Sequence, residues 1–116
     1  MRHLKKKKFF RGGHAQRLAF LKQSAASLLV HGKIMTTATR SRHIRPYVER
    51  LITIGKKDTL ANRRLLIKKI GDPKIADKVL KVISPKYAKR AGGYTRVAKI
   101  GPRQGDGAWQ VLVTLI

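Results

Sequence analysis

The chain has 116 residues, enough for one small domain, and its 28 Lys or Arg against five Asp or Glu give a formal net charge of +23. A hydrophobic fraction of 42% is too high for a disordered basic tail alone, so we expect a core, and the charge excess indicates a polyanionic partner such as nucleic acid. The absence of Cys excludes disulfides, thiolate metal sites and Cys nucleophiles, and no apolar run is long enough to span a bilayer.

The basic residues are concentrated at the start of the chain. Through residue 48 there are twelve Lys or Arg and no Asp or Glu, and the first acid is Glu49. Residues 1–13 contain the run Lys5 to Lys8 and have no helical or strand period, so they predict an extended basic arm ahead of a globular domain of residues 14–116. The lysines offer charges to phosphates. Phe9 and Phe10 either stack on unpaired bases or pack back on the domain.

The first two predicted elements follow the arm. Residues 14–31 carry leucines at steps of three and four and predict a helix, ended by Gly32 at the position typical of a helix C-terminal glycine. Residues 33–37 are rich in β-branched side chains and predict a strand. A second helix is predicted over roughly residues 41–54, starting near Ser41 so that Pro46 lies in its first turn, or else kinked at Pro46.

Two further helices have clear start signals. Asp58 or Thr59 can cap a third helix that ends before Gly71, and Asp72 followed by Pro73 starts a fourth. Ser84 with the proline after it repeats this signal and predicts a separate short helix that stops at the pair of glycines 92 and 93.

The period then changes to that of strands. Residues 94–100 and 108–116 are both predicted strands, and Trp109, Val111, Val113 and Leu115 would share one face. Residues 101–107 form a hairpin loop that could cradle a phosphate, although an ordinary turn is favoured. Helices packed on one face of a small sheet would bury these apolar stripes, which makes a two-layer α/β (α+β) fold.

Catalysis has few candidate residues. The five acids form no close pair in the sequence, and neither a nucleophile elbow nor a Walker-type loop is present. The histidines lack ligand spacing, so they are interpreted as phosphate contacts or surface residues rather than metal ligands; they are His3, His14, His31 and His43. We therefore expect no enzyme, no cofactor and no metal.

Two basic clusters are candidate nucleic-acid contacts. Arg40, Arg42, His43 and Arg45 crowd the start of the second helix, where cations oppose the helix dipole unless phosphate lies nearby; the alternative is a tolerated charged surface. The second cluster is the segment Arg90-Ala91-Gly92-Gly93-Tyr94-Thr95-Arg96, a sharp helix-to-strand turn bracketed by two arginines that could also hold a phosphate.

Several motifs together resemble one family over nearly the full length. They are Met1-Arg2-His3, His14 opening a helix, Thr36-Thr37, Leu51-Ile52-Thr53, Ala61-Asn62-Arg63-Arg64, the Arg90–Arg96 segment and Gly105-Asp106. The chain resembles bacterial ribosomal large-subunit protein seventeen. The resemblance implies a helix, a strand, three helices and two strands, with a three-stranded mixed sheet. It also implies a structural role on large-subunit ribosomal RNA near the mouth of the tunnel through which nascent chains leave.

The predicted RNA-binding residues combine the basic clusters with the positions that match the family motifs. They are Arg2, His3, Lys5, Lys6, Lys7, Lys8, Arg11, His14, Arg17, Arg40, Arg42, Arg45, Asn62, Arg63, Arg64, Arg90, Gly92, Gly93, Tyr94, Arg96 and Arg103. The expected partners are 23S-type ribosomal RNA and neighbouring large-subunit proteins, with no membrane, small-molecule substrate or second copy of the chain. The expected location is the cytoplasmic ribosome, an organellar ribosome being less favoured. The alternative function is that of a nucleoid-type DNA-binding architectural protein.

Overall fold

The computed structural model describes residues 13–116 of the chain. The predicted extended arm therefore lies almost wholly outside the described residues, and the boundary between arm and domain stays a prediction. The elements follow one another in the order α1 His14–His31, β1 Lys33–Thr37, α2 Ala38–Gly55, α3 Leu60–Ile70, α4 Pro73–Lys78, a π-helical segment Val79–Ile83, α5 Ser84–Lys86, β2 Thr95–Pro102 and β3 Trp109–Leu115.

Most helix ends lie where the capping residues predicted them. Gly32 and Gly71 have φ values of 79° and 86°, a left-handed conformation that glycine adopts without strain, and they end α1 and α3. Thr59 accepts a hydrogen bond from the backbone N–H of Asn62 and so caps α3, while Asp72 caps α4 by accepting from the N–H of Lys74. The predicted bounds of α1, β1 and α3 are confirmed.

Helix α2 begins earlier than predicted. The Thr37 hydroxyl accepts from the backbone N–H of Arg40 at 3.4 Å, so this threonine on the end of β1 caps a helix that begins at Ala38. Pro46 consequently lies inside the helix, and the prediction that it sits in the first turn was wrong. Proline removes one N–H donor, which leaves the carbonyl of Arg42 without its helical bond. Pro46 is exposed.

The predicted separate helix at Ser84 was also wrong. The chain continues from α4 through a π-helical segment into α5, and the N–H of Ser84 donates to Val79, five residues back. In a regular α-helix the ring of Pro85 would meet the carbonyl of Lys81. The wider π turn directly before the proline gives that ring room. Ser84 is buried, and its hydroxyl donates to the carbonyl of Ile52 at 3.0 Å instead of capping a helix.

The sheet is antiparallel throughout, so the predicted mixed sheet was wrong. Its strand order is β1-β3-β2. Met35 of β1 pairs with Leu112 of β3, and Ala98 of β2 pairs with the same leucine from the other side. Because the last strand lies between the two earlier ones, β1 and β2 run parallel to each other without touching, and no parallel pair forms.

The helices cover one face of this sheet, as the apolar stripes predicted. Val111 and Val113 of β3 are buried against residues of α1 and α2 such as Leu28 and Ile52. Trp109 does not join them, because 56% of its surface is exposed at the end of the strand, which corrects its predicted place on the buried face. The architecture is the predicted two-layer α+β fold.

Candidate nucleic-acid interface

Every acidic side chain of the chain is engaged within the fold. Asp58 and Asp77 pair with Arg63, and Asp106 pairs with Arg103. Asp72 caps α4, and a carboxylate oxygen of Glu49 accepts from the hydroxyl of Thr95 at 2.8 Å. With five acids used in this way in a chain of net charge +23, the surface cations have little internal counter-charge and favour an external anion.

The Arg90–Arg96 loop is fixed from behind by tyrosine and lysine. The carbonyl of Arg90 accepts hydrogen bonds from the Tyr94 hydroxyl at 3.1 Å and from the ammonium of Lys56. Gly92 and Gly93 have φ values of 126° and 64°, which side chains other than glycine rarely adopt, so this turn needs both glycines. The loop therefore has a defined shape, with the side chains of Arg90 and Arg96 on its exposed side.

Tyr94 belongs to the core rather than to the surface. It is 2% exposed, and its ring centroid lies 5.0 Å from that of Tyr87. The Lys56 ammonium lies 4.9 Å from the ring centroid, and its hydrogen bond with the hydroxyl lowers the pKa of Tyr94. This burial leaves no ring face open for stacking on a base. Tyr94 instead anchors the loop to the core through its hydrogen bond with the Arg90 carbonyl. Lys56 did not stand out in the sequence, because its contact with the loop spans 34 positions.

The three arginines at the start of α2 have different surroundings. The guanidinium of Arg40 lies 5.1 Å from the ring centroid of Phe20, and Arg42 is exposed. Arg45 is half-buried, and its Nε donates to the Thr95 hydroxyl at 3.1 Å, the same hydroxyl that donates to Glu49. This chain of hydrogen bonds ties α2 to the first residue of β2, and so brings two of the predicted clusters together.

Asn62 and Arg63 hold helices in place, while Arg64 faces outwards. The side-chain amide of Asn62 donates to the carbonyls of Ile54 at 3.2 Å and Lys57 at 3.0 Å, which satisfies the end of α2. Arg63 is the arginine that pairs with two aspartates. Because all of these partners come from other elements or turns, the sequence did not separate the two supporting residues from the exposed Arg64.

The remaining predicted residues are apart from these clusters. Arg103 lies beyond the far end of β2, where its Nε donates to Asp106 at 3.1 Å. That hydrogen bond, with a second from the N–H of Ala108, lowers the pKa of Asp106 to about 2. His14 is exposed at the start of α1, and Arg17 is half-buried one turn later. The predicted contacts Arg2, His3, Lys5, Lys6, Lys7, Lys8 and Arg11, together with Phe9 and Phe10, lie outside the described residues.

The described part of the chain contains neither a metal site nor a membrane-spanning helix. Between residues 13 and 116, no three His, Asp or Glu side chains come close enough to hold a metal ion. Within the same range, no helix has the length and apolar character needed to cross a membrane.

The sequence is similar to known ribosomal proteins over most of its length. The family described as ribosomal protein L17 matches residues 20–116. The large ribosomal subunit protein bL17 of Carboxydothermus hydrogenoformans is 49% identical over 100 residues, which cover 86% of this chain and 89% of the relative. The bL17 protein of Ehrlichia chaffeensis is 43% identical, with 100% of this chain and 90% of the relative covered. That of Gemmatimonas aurantiaca is also 43% identical, with 100% and 98% covered.

These findings place the chain among the structural, non-enzymatic proteins of the ribosome. Its small, basic α+β fold is consistent with that class. More narrowly, the chain belongs to the ribosomal protein L17 family. The family resemblance predicted from the motifs is thereby confirmed.

Proposed function

We propose that this chain is held in the large ribosomal subunit by ribosomal RNA, which it binds through exposed arginines at the start of α2 and in the Arg90–Arg96 loop. The observation that carries the proposal is that all five acids bond to other residues of the fold, so no acid within the described residues 13–116 pairs with the exposed Arg42, Arg90 and Arg96. Arginine forms paired hydrogen bonds with phosphate oxygens, and a fixed support reduces the entropy lost on binding.

The finer parts of the proposal rest on the family. The chain would lie near the exit of the nascent-chain tunnel, beside neighbouring large-subunit proteins, as a single copy in ribosomes of the cytoplasm. The basic residues 1–13 would form its extended arm and reach into RNA, while residues 14–116 would rest on the subunit surface as one domain. The lysine run supplies the charge for this arm.

RNA binding can be tested with a charge-matched pair of variants. Arg42→Gln with Arg90→Gln removes two exposed cations of the proposed interface, whereas Lys74→Gln with Lys81→Gln removes two exposed cations from the helical layer. The probes are protein-free large-subunit ribosomal RNA and duplex DNA of random sequence, compared at several matched salt concentrations. Each lost phosphate contact should reduce the slope of log affinity against log salt by roughly 0.7–0.9.

We expect the arginine variant to lose affinity for the ribosomal RNA and to wash off large subunits at lower salt than either the wild type or the lysine variant. Equal losses in both variants would mean that net charge alone governs binding, which contradicts the proposed interface. Equal affinity of the wild type for DNA and RNA would favour the nucleoid-type alternative.

The tunnel position needs its own measurement. A photo-crosslinker attached at an exposed site such as Arg64 should, in ribosomes carrying a stalled nascent chain, form products with that chain or with proteins at the exit. Products formed exclusively with components remote from the exit would contradict the proposed position.

A further inference from the structure

The face of the sheet that points away from the helices carries three ordered rows of side chains. The first row is Lys33, Thr114 and Arg96, the second is Met35, Leu112 and Ala98, and the third is Thr37, Gln110 and Gly101, each in register across the three strands. The rows are therefore basic, apolar and polar in turn. We call this surface the outer sheet face.

The outer sheet face is open along its apolar row. Met35 is 61% exposed, and Ala98 is exposed on the opposite edge of the sheet. None of the three strands contains an Asp or Glu. The acids nearest to them in sequence or contact are engaged elsewhere, since Glu49 bonds to Thr95 on the helix side and Asp106 pairs with Arg103.

We propose that the outer sheet face is a second RNA-binding surface, adjacent to the Arg90–Arg96 loop with which it shares Arg96, and that it takes an unpaired segment of ribosomal RNA. This inference rests on the proposed function and adds a surface to it. Lys33 and Arg96 lie two strands apart, about 10 Å, and contact phosphates. The apolar row follows about 7 Å further along the strands, where it contacts ribose and base faces. The thioether of Met35 packs favourably on an aromatic base, and the side chain of Gln110 is within reach of base edges.

The order of the rows favours RNA over a protein partner. The apolar row is one residue deep and about 10 Å wide. Its area is therefore far below the roughly 800 Å² that each partner buries in a stable protein interface. A nucleotide, in contrast, presents a phosphate on one side and a flat base on the other, in the same sequence as the basic and apolar rows. Unpaired RNA exposes such base faces, whereas a duplex hides them by stacking.

The charge part of the inference can be tested on the full chain. Arg96 also belongs to the Arg90–Arg96 loop of the proposed interface, so the test uses Lys33→Gln alone, with Lys74→Gln as the charge-matched control on the helical layer. Binding to protein-free large-subunit ribosomal RNA is measured across a salt series. Because a single-stranded contact contributes about 0.7 to the slope of log affinity against log salt, the loss of the Lys33 contact should reduce that slope by about 0.7. The control should leave the slope unchanged, and equal slopes for all three proteins would overturn the inference.

The apolar part is tested by Met35→Thr, which keeps a side chain suited to a strand. We expect about a two- to tenfold loss of affinity for a short unstructured RNA, and no change for the same strand in a duplex. Loss of retention on assembled subunits without loss of affinity for protein-free RNA would overturn the inference in favour of a neighbouring protein.

A measurement on the wild-type chain tests the inference without requiring that any variant folds. Met35 should be oxidised by peroxide several-fold more slowly in the complex with unstructured RNA than in the free protein, as followed by the mass of its peptide. Equal protection by duplex RNA, or none by either, would overturn the inference. A wild type that fails to bind ribosomal RNA at all would overturn the proposed function as well, whereas normal binding with unprotected Met35 would overturn the outer sheet face alone.

Discussion

Gly55 offers the sharpest test of the packing between α2 and the helical stretch that contains the π-helical segment. It is the last residue of α2 and is buried, and a Cβ built on it would lie 2.4 Å from the Ser84 hydroxyl oxygen and 2.8 Å from a Val79 methyl carbon. Neither neighbour can move at little cost. Ser84 is held by its hydrogen bond to Ile52, and Val79 is fully buried.

We expect Gly55→Ala to lower the free energy of unfolding by about 1–3 kcal/mol, the usual cost of adding a methyl group to a filled core. The better helix propensity of alanine, up to about 1 kcal/mol, offsets part of this cost. For a chain of this size a loss of about 2 kcal/mol corresponds to a fall in melting temperature of roughly 8 °C. The assay is urea unfolding followed by circular dichroism, at one fixed salt concentration because the net charge of +23 makes stability salt-dependent.

Two comparisons make this prediction specific. Gly13, the N-cap residue of α1, has no atom within 4 Å of such a methyl group, so Gly13→Ala should change stability only by the difference between Gly and Ala at a helix start, about 0.5 kcal/mol. Adding Ser84→Ala to the Gly55 variant removes the closest atom, so the two changes should be coupled by at least about 0.5 kcal/mol. A Gly55→Ala chain as stable as the wild type would refute the close approach of α2 to the π-helical segment.

Three further predictions concern side-chain hydrogen bonds. Asp106 should titrate near pH 2 by carboxyl NMR, and Arg103→Gln should raise its pKa towards the ordinary 3.8. Because the folded pKa is depressed, the pair stabilises the hairpin above pH 3.8 and the effect disappears as the pH falls to about 2; an unmoved pKa in the variant would contradict the pairing. Tyr47→Phe removes a 2.6 Å hydrogen bond to the carbonyl of Lys69 and should cost about 1 kcal/mol in urea unfolding, a loss that an unchanged midpoint would exclude. Thr95→Val should cost about 1–3 kcal/mol in the same assay, because it leaves partly buried charged groups on α2 without their shared hydroxyl, and Thr95→Ser should restore most of the stability.

Local signals in the sequence predicted the elements that depend on local physics. The left-handed glycines after α1 and α3 and the capping residues Thr59 and Asp72 act within one turn of the chain, so their positions could be recognised without tertiary information. The buried alternation of β3 was recognised for the same reason, except at Trp109, where the strand extends past the helices that would have covered it.

The wrong predictions for Ser84 and for the sheet have a different cause, since both depend on residues far apart in the sequence. Ser84 with its following proline is a normal helix start, but a contact with Ile52, 32 positions earlier, makes Ser84 an internal residue of the helical stretch. The mixed sheet came from the family resemblance, whereas the observed order depends on where the last strand inserts, which no local pattern specifies. At Pro46 the local rule that places proline in the first turn of a helix was too strict. Because Pro46 is exposed, helix α2 continues past it.

The motif residues divide by function in a way that only the contacts reveal. In the Arg90–Arg96 loop, Tyr94 points inwards and fixes the backbone, while its two arginines remain outside. In the Asn62–Arg64 segment, two residues bind other parts of the fold and one is exposed. A chain with so few acids has little capacity to neutralise its own cations, and because all five acids bond to other residues of the fold, exposed arginines such as Arg42 and Arg96 have no acid to pair with in the part of the chain that the structure describes. The same contacts that stabilise the fold therefore leave its surface arginines dependent on an external polyanion.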